Sequence, residues 1–225
     1  MLTLHIANKN YSSWSLRPWV LMRTLGIGFE ERLSPFEGHV NPAFKAFSPT
    51  GRMPCLIDDG NAVWDTLAIM EYLAERHDAV WPAEAKARAW ARCASAEMHS
   101  SFQGLRNQCG MSCGLRVTLH AMTDELRADI ARVSELWREG FRRFGGPFLA
   151  GASFTAVDAM FAPVTFRALT YDLDFGPEGN RYAAMIRDLP AMRAWYEAGL
   201  AETWRDAAHE EEIGASGVIT ADLRA

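Results

Sequence analysis

The sequence predicts an α+β domain of about 80 residues followed by an all-α helical domain, and three observations carry this prediction. An alternating apolar segment, LTLHIA, opens the chain, and a strong hairpin signal lies at residues 58–61. From about residue 84 onward, apolar residues recur every three or four positions and no strand pattern appears. The length of 225 residues suits one large domain or two small ones, with a sizeable core in either case.

The first 78 residues combine strand and helix patterns. In chain order, the predicted elements are the strand LTLHIA, a helix from about Trp14 to Leu25, the strand IGFEERLS, two strands in MPCLIDDGNAVW and the helix DTLAIMEYLAERH. This βαβ-ββα order is the element order of a thioredoxin-like domain. We therefore expect a thioredoxin-like domain at residues 1–78, followed by a linker at residues 79–83.

The remaining residues, 84–225, are expected to form an all-helical domain. The clearest apolar stripe has the spacing of one helix face and consists of Leu126, Ile130, Val133, Trp137, Phe141 and Phe144. GGPFLAG ends that helix, and Thr155 with Asp158 predicts a capping box at the start of the next one. The tail from Glu210 onward is polar and weakly patterned, so we expect it to be loose or laid over the surface.

Charge and composition narrow the classes of partner. The net charge of -5 argues against nucleic acid as a main partner, because phosphate contacts need clustered basic residues. No apolar run approaches the roughly 20 residues of a membrane span, and the N-terminus lacks the features of a signal peptide. We therefore expect a cytoplasmic protein without membrane contact and with reduced thiols. Cys109 and Cys113 are not spaced as a redox pair, and no nearby cluster indicates a metal, so we favour a structural interpretation for them.

Hydroxyl side chains crowd the predicted start of the first helix, in the segment NKNYSSWSLRPWV at residues 8–20. Because Pro18 fits only the first turn of a helix without losing a hydrogen bond, the helix should begin near Trp14. Ser12 and Ser13 then lie at or just before the N-cap. The unpaired N–H groups there attract anions, and a hydroxyl beside them can donate to a thiolate or an oxyanion. The alternative is that one serine simply caps the helix.

Two further segments carry polar or backbone groups suited to a peptide ligand. Pro54 stands where a thioredoxin-like domain has a cis proline, so Met53 would turn its backbone outward to pair with a peptide. Arg52 could meet a carboxylate there or be an ordinary solvated residue. Asp65 and Thr66 open a helix, where they could hold an ammonium and a carboxylate, or could simply cap it. The segments together predict a site for a peptide-like thiol.

The sequence resembles the cytosolic glutathione S-transferase family over nearly the whole chain. Four segments carry the resemblance, in the order in which the family has them: YSSWSLRPW, NPAFKAFSPTGRMPCLIDDG, WDTLAIMEYLAE and FLAGASFTAVDAMFAPV. SSWS is similar to the SSCS motif of the zeta class, which suggests a bacterial, serine-type member. Since Trp14 replaces the motif's cysteine, we do not expect a mixed-disulfide mechanism. The resemblance points to Ser12 or Ser13 as the thiol-activating hydroxyl, and the zeta-like spacing favours Ser12.

The resemblance also implies the residues that bind glutathione and the second substrate. The residues expected to hold glutathione are Arg52, Met53, Pro54, Asp65, Thr66 and, as a weaker candidate, His39. The candidates for an electrophile pocket between the domains are Met98, Phe102, Arg106 and Tyr11, with His99 as a further polar neighbour. For Met98 and Phe102, a place in the core is the alternative. The family further implies a homodimer.

The expected activity is that of a glutathione S-transferase in detoxification, whose thiolate attacks a small hydrophobic electrophile. Lowering a thiol pKa of about 8.5 by two requires about 2.7 kcal/mol. A charge-assisted hydrogen bond of about 1.5 to 3 kcal/mol suffices together with the helix end, so neither a base nor a metal is required. Two alternatives stay open: a glutathione-dependent isomerase of the maleylacetoacetate type, in which Arg106 would steer an acidic substrate, and a non-catalytic binding module.

Overall fold

The structure is a computed structural model that describes residues 1–38 and 41–225, and its first half is built on a four-stranded mixed sheet. The elements of this half are β1 (Leu2–Ile6), α1 (Ser13–Thr24), β2 (Glu30–Leu33), β3 (Cys55–Asp58), β4 (Asn61–Trp64) and α2 (Thr66–Ala74). The predicted βαβ-ββα order and the thioredoxin-like fold are confirmed.

The sheet has the strand order β2-β1-β3-β4, with β1 parallel to β2 and antiparallel to β3. Because side chains alternate between the two faces of a strand, Leu4 and Ile6 of β1 point to the same side, and both are fully buried. The turn between β3 and β4 has positive φ at Asp59 and Gly60, in line with the hairpin signal. This register places the end of β1 next to the start of β3 and the start of α2.

The second half is helical apart from one two-stranded sheet. Its elements are α3 (Ala85–Ser100), α4 (Gln103–Gln108), β5 (Leu115–Leu119), α5 (Asp124–Phe144), α6 (Ala156–Tyr171), α7 (Gly176–Asp188), α8 (Pro190–Leu200), α9 (Ala207–Ser216) and β6 (Gly217–Asp222). The predicted helical C-terminal domain is confirmed, and so is the capping box of Thr155 and Asp158 at the start of α6. A 3₁₀ turn, Asp78–Val80, precedes α3. The domain limits expected at residues 78 and 84 stay predictions.

One sheet in the second half corrects the expectation that no strand follows residue 84. Strands β5 and β6 pair antiparallel, from Leu115 opposite Asp222 to Leu119 opposite Gly217. Each strand is short and its partner lies about 100 residues away, so local periodicity could not indicate the pairing. The C-terminal tail is fixed as well, because Arg224 forms ion pairs with both Glu210 and Asp222. Within the described residues, no helix is long and apolar enough to cross a membrane.

The two halves pack directly on each other through the loop that follows β1. Glu202, at the end of α8, accepts hydrogen bonds from the backbone N–H groups of Lys9, at 2.7 Å, and Asn10, at 3.2 Å. Trp195 of α8 donates to the carbonyl of Lys9 at 2.9 Å. On α1, Arg17 donates to the carbonyl of Met160 in α6 at 2.8 Å. The loop that leads into α1 is therefore positioned by the helical half.

Candidate functional site

A groove with a volume of about 350 Å³ lies where β3, α2 and α3 meet. It is lined by Trp14, Thr50, Arg52, Met53, Pro54, Trp64, Asp65, Thr66 and His99. Five of these are residues that the sequence predicted to bind glutathione, and the structure brings them together. His39, the sixth, lies outside the described residues.

At the start of α1, the two candidate serines have different partners. Ser12 is the N-cap: its Oγ accepts a hydrogen bond from the Ser15 N–H at 3.3 Å and donates to Ser15 Oγ at 2.7 Å. Ser15 Oγ in turn accepts from the Ala7 N–H at 3.1 Å. The hydroxyl hydrogen of Ser12 is therefore committed inside the protein, as the capping interpretation required.

Ser13 is the first residue of α1, and its hydroxyl forms no hydrogen bond with any described residue. Its backbone is fixed, since its N–H donates to the Tyr11 carbonyl at 2.9 Å and its own carbonyl accepts from Arg17 at 3.1 Å. Both serines are buried, and neither lines the groove itself, although the next residue, Trp14, does. Ser13 thus has the free hydroxyl at the positive end of α1.

The structure corrects the expected position of Pro18, which lies at the sixth residue of α1 rather than in its first turn. A proline has no N–H, so the carbonyl four residues earlier, that of Trp14, has no helical donor. Thr66 supplies the missing donor, because its hydroxyl donates to the Trp14 carbonyl at 3.0 Å. The carbonyl that Pro18 leaves without a helical donor is therefore hydrogen-bonded to the first residue of α2, and this bond joins the two helices at the groove.

Two arginines stack on the indole of Trp14. The guanidinium carbons of Arg17 and Arg106 lie 4.3 and 4.7 Å from the ring centroid. Burial, followed by the charges of Arg106 and Arg167, lowers the pKa of Arg17, and burial lowers the pKa of Arg106 to about 10. Neither arginine forms an ion pair with a described carboxylate, and Nη2 of Arg17 has no hydrogen-bond partner among the described residues. The groove therefore adjoins two guanidinium groups that are not paired directly with a described carboxylate.

Around β3, the backbone is arranged as the sequence predicted. The Met53–Pro54 peptide bond is cis, which confirms the expectation. The N–H and C=O groups of Met53 bond to no described residue, and the guanidinium of Arg52 has no partner in the described part of the chain. These groups are free to meet a ligand in the groove.

Asp65 caps α2 and also contacts the helical half. Its Oδ1 accepts from the Leu67 N–H at 2.8 Å, and its φ of 73° is unusual for a residue other than glycine. Nε2 of His99, on α3, lies 3.0 Å from Oδ1 and 2.8 Å from Oδ2 of Asp65. This contact joins the two halves of the chain at the rim of the groove.

The residues expected to form the electrophile pocket do not line this groove. Met98 and Phe102 are almost completely buried in the hydrophobic core, as the alternative interpretation held. Arg106 donates to the carbonyls of Met98 and Ser101 while it stacks on Trp14. The hydroxyl of Tyr11 donates to Glu210 and accepts from Arg224, both in the C-terminal segment, and burial raises the pKa of Tyr11. Arg106 is thus the one of the four candidates that contacts a groove residue.

Sequence reasoning missed Arg17, which contributes charge beside the groove. It lies three residues after Trp14, and residues so spaced share a helix face. An arginine on an otherwise apolar face could have indicated it. All four cysteines are free thiols, and Cys109 and Cys113 are buried. Within residues 1–38 and 41–225, no group of three or more His, Cys, Asp or Glu side chains is arranged to hold a metal ion.

Comparisons with known proteins identify the family and the fold. Two family models match: "Glutathione S-transferase, N-terminal domain" over residues 11–76 and "Glutathione S-transferase, C-terminal domain" over residues 116–198. A "Probable maleylacetoacetate isomerase" of Caenorhabditis elegans is 26% identical over 193 residues, 81% of this chain and 86% of that protein. "Glutathione S-transferase 3" of Zea mays is 27% identical over 168 residues, 71% of each chain.

Solved structures of the same fold are similar over almost the whole chain. A glutathione S-transferase from Rhodospirillum rubrum F11 superposes with a TM-score of 0.67 at 22% identity, covering 95% of this chain and all of the other. A glutathione transferase homologue from Burkholderia GL BGR1, with bound glutathione, gives the same TM-score and identity and covers 88% and 97%. At this identity the likeness establishes the fold.

Proposed function

The chain belongs to the glutathione S-transferase family and is an enzyme of that type, and from this premise we propose how it uses glutathione. Glutathione binds in the groove beside Trp14, and a serine hydroxyl at the start of α1 stabilises its thiolate. The observation that carries the proposal is the convergence of Arg52, the Met53–Pro54 strand start and the Asp65–Thr66 helix start in one groove, next to the free hydroxyl of Ser13.

The groups in the groove complement the three charged ends of the tripeptide. The free guanidinium of Arg52 suits the glycyl carboxylate. The unpaired backbone of Met53 suits the cysteinyl peptide groups, which would pair as an added strand does. Asp65 suits the γ-glutamyl ammonium. At Thr66, the first residue of α2, the free N–H suits the γ-glutamyl carboxylate, since the hydroxyl hydrogen is already given to Trp14.

Ser13 is the residue that we assign to thiolate stabilisation, rather than the Ser12 that the motif spacing favoured. A hydroxyl that has no internal acceptor can donate to sulfur without breaking another bond, whereas Ser12 would first have to release Ser15. The dipole of α1 adds to the effect. So does the positive charge of Arg17, which contacts the Ser13 carbonyl. The sulfur then forms the bond to an electrophilic carbon, and the carbon's leaving group departs with the electron pair.

A glutathione-dependent isomerase is the second candidate, and two observations favour it. The relative from Caenorhabditis elegans carries that name. Arg106 lies on Trp14 without a carboxylate partner among the described residues, so it could meet the carboxylate of an acidic substrate. In either case we propose a cytoplasmic homodimer, and for the transferase a role in detoxification, with no nucleic-acid, membrane or metal partner.

Calorimetry with purified protein and glutathione tests the proposal. We expect binding with a dissociation constant below the millimolar range, and the absence of binding at millimolar glutathione would contradict the proposal. Parallel assays with an aromatic halide and with a cis-enone acid then separate the two activities. Conjugation of the halide supports the transferase, whereas isomerisation of the acid without net loss of glutathione supports the second candidate.

A further inference from the structure

The contact between His99 and Asp65 has no role in the function proposed above. We propose that His99 is a positioning residue, which holds the Asp65 carboxylate in place for the ammonium of the γ-glutamyl head group. This inference rests on the proposed function, and it assigns to the helical half a part in recognising glutathione. It makes the enzyme selective for thiol peptides that carry an α-amino group at that end.

The backbone of Asp65 has an unusual conformation. Its φ of 73° and ψ of 135° fall in a region that residues with a side chain rarely adopt, and such conformations persist where the surroundings enforce them. The carboxylate is part of that enforcement, since Oδ1 accepts from the N–H groups of Leu67 and Ala68. Oδ2 accepts only from His99 among the described residues, so it keeps room for a second donor.

Both side chains of this contact are accessible to a ligand. The side chain of Asp65 is 45% exposed and that of His99 is 32% exposed, so a ligand can reach both. The capping N–H groups hold only Oδ1, so without a further donor Oδ2 would have to be ordered when a ligand binds. Since Nε2 of His99 contacts both carboxylate oxygens, the ordering is already achieved in the free protein. The imidazole N–H is a donor whichever charge state the ring has, because the neutral ring can carry its proton on Nε2.

The imidazole of His99 is in turn held in place by its neighbours. Its ring lies 5.3 Å from that of Trp14, tilted by 60°, and the Trp14 ring also contacts the guanidinium groups of Arg17 and Arg106. The preceding residue on α3, Met98, is buried in the core. The imidazole therefore has a fixed position on a rigid helix, as a group must have if it is to orient another.

The test compares glutathione with glutaryl-cysteinyl-glycine, the same peptide without its amino group, by calorimetry. The unaltered protein should bind glutathione about tenfold more tightly. His99→Ala should weaken glutathione binding about five- to tenfold and leave binding of the deaminated peptide within twofold. His99→Gln, whose amide can donate from nearly the same position, should restore most of the loss. Asp65→Asn should remove the preference altogether, and His120→Ala, on an exposed histidine, should change neither affinity.

Equal weakening of both peptides by His99→Ala would overturn the inference, because a purely structural role predicts that result. So would unchanged affinity for glutathione in His99→Ala, or a loss that His99→Gln does not restore. Failure of the unaltered protein to bind either peptide would instead contradict the proposed function itself.

Discussion

At the scale of single residues, the sequence could not tell the two serines apart, and the structure separates them by whether the hydroxyl hydrogen is used inside the protein. Ser12 gives its hydroxyl hydrogen to Ser15, and Ser13 keeps its own available. The sequence located both because serines favour the N-cap of a helix, although Pro18 does not lie in the first turn as expected. It could not choose between them, since the choice depends on how Ser12, Ser15 and the Ala7 N–H are arranged in three dimensions.

His99 illustrates the same limit. It contacts Asp65 from another helix, and nothing in the local pattern gives that distance. Arg17 is different, because its spacing of three residues from Trp14 on the same helix could have indicated the contact.

Local signals at strand starts and helix starts indicated Met53–Pro54 and Asp65–Thr66, and the structure brings these residues together in the groove. That they bind glutathione stays a prediction. The sequence therefore indicates site residues more readily where they lie at the ends of helices and strands.

Thr66 provides a prediction at this scale. Thr66→Val removes the hydroxyl that satisfies the Trp14 carbonyl and leaves a partly buried acceptor without its donor. We expect the free energy of unfolding to fall by about 1 to 3 kcal/mol, measured by urea denaturation. Thr66→Ser keeps the hydroxyl and should lose less than half as much. A loss in Thr66→Ser as large as that in Thr66→Val would contradict the prediction, because the methyl group would then contribute as much as the hydrogen bond.

At the scale of elements, the helices were the easier part to predict and the second sheet the harder part. The capping box of α6 follows from two residues three positions apart, and the structure contains it. Strands β5 and β6 depend on partners about 100 residues apart in the chain, so only tertiary structure defines them. Pro18 was misplaced for a related reason: a carbonyl that it frees in α1 is satisfied by a residue of α2.

Asp158, in the capping box of α6, gives a pH-dependent prediction. Complete burial raises its pKa from 3.8 to about 6, despite hydrogen bonds from Leu149, Thr155 and Tyr182. A folded-state pKa above the unfolded one means that the folded chain binds this proton more tightly. The stabilisation from this group is therefore complete below pH 4 and is lost as the pH rises to about 6, by about 3 kcal/mol.

The measurement is urea denaturation of the unaltered protein and of Asp158→Asn between pH 4 and pH 7. The difference in unfolding free energy between the two should grow as the pH falls from 6 to 4, because only the carboxylate titrates there. A difference that is constant over this range would contradict the assigned pKa. Glu178→Gln, on an exposed carboxylate of α7, serves as the control and should leave the pH dependence unchanged.

At the scale of the whole molecule, the helical half supports the groove. It holds the loop before α1 through Glu202 and Trp195, it anchors α1 through Met160, and it reaches the groove through His99. The two-domain organisation was predictable from the change in apolar periodicity near residue 84. How the halves contact each other was not, because those contacts join polar groups from distant parts of the chain.

Glu202 tests this support directly. Its buried carboxylate accepts from two backbone N–H groups, and burial raises its pKa. In Glu202→Gln, the amide can satisfy only one of them with its oxygen, so we expect a loss of about 1 to 3 kcal/mol in unfolding free energy. Glu197→Gln, on an exposed residue of the nearby α8, should lose less than about 0.5 kcal/mol. Similar stability in both variants would show that the hydrogen bonds from Lys9 and Asn10 to Glu202 contribute little.

The central claim is that an alcohol group at the start of α1 keeps the glutathione sulfur ionised, and the pKa of the bound thiol measures this most directly. Ultraviolet absorbance of the thiolate, titrated against pH with glutathione bound, should give a pKa near 6.5, about two below the free thiol. Ser13→Ala should raise that pKa by about 1 to 2, the equivalent of one charge-assisted hydrogen bond, while Ser12→Ala should raise it by less than about 0.5. An unchanged pKa in Ser13→Ala, or the larger rise in Ser12→Ala, would contradict the account.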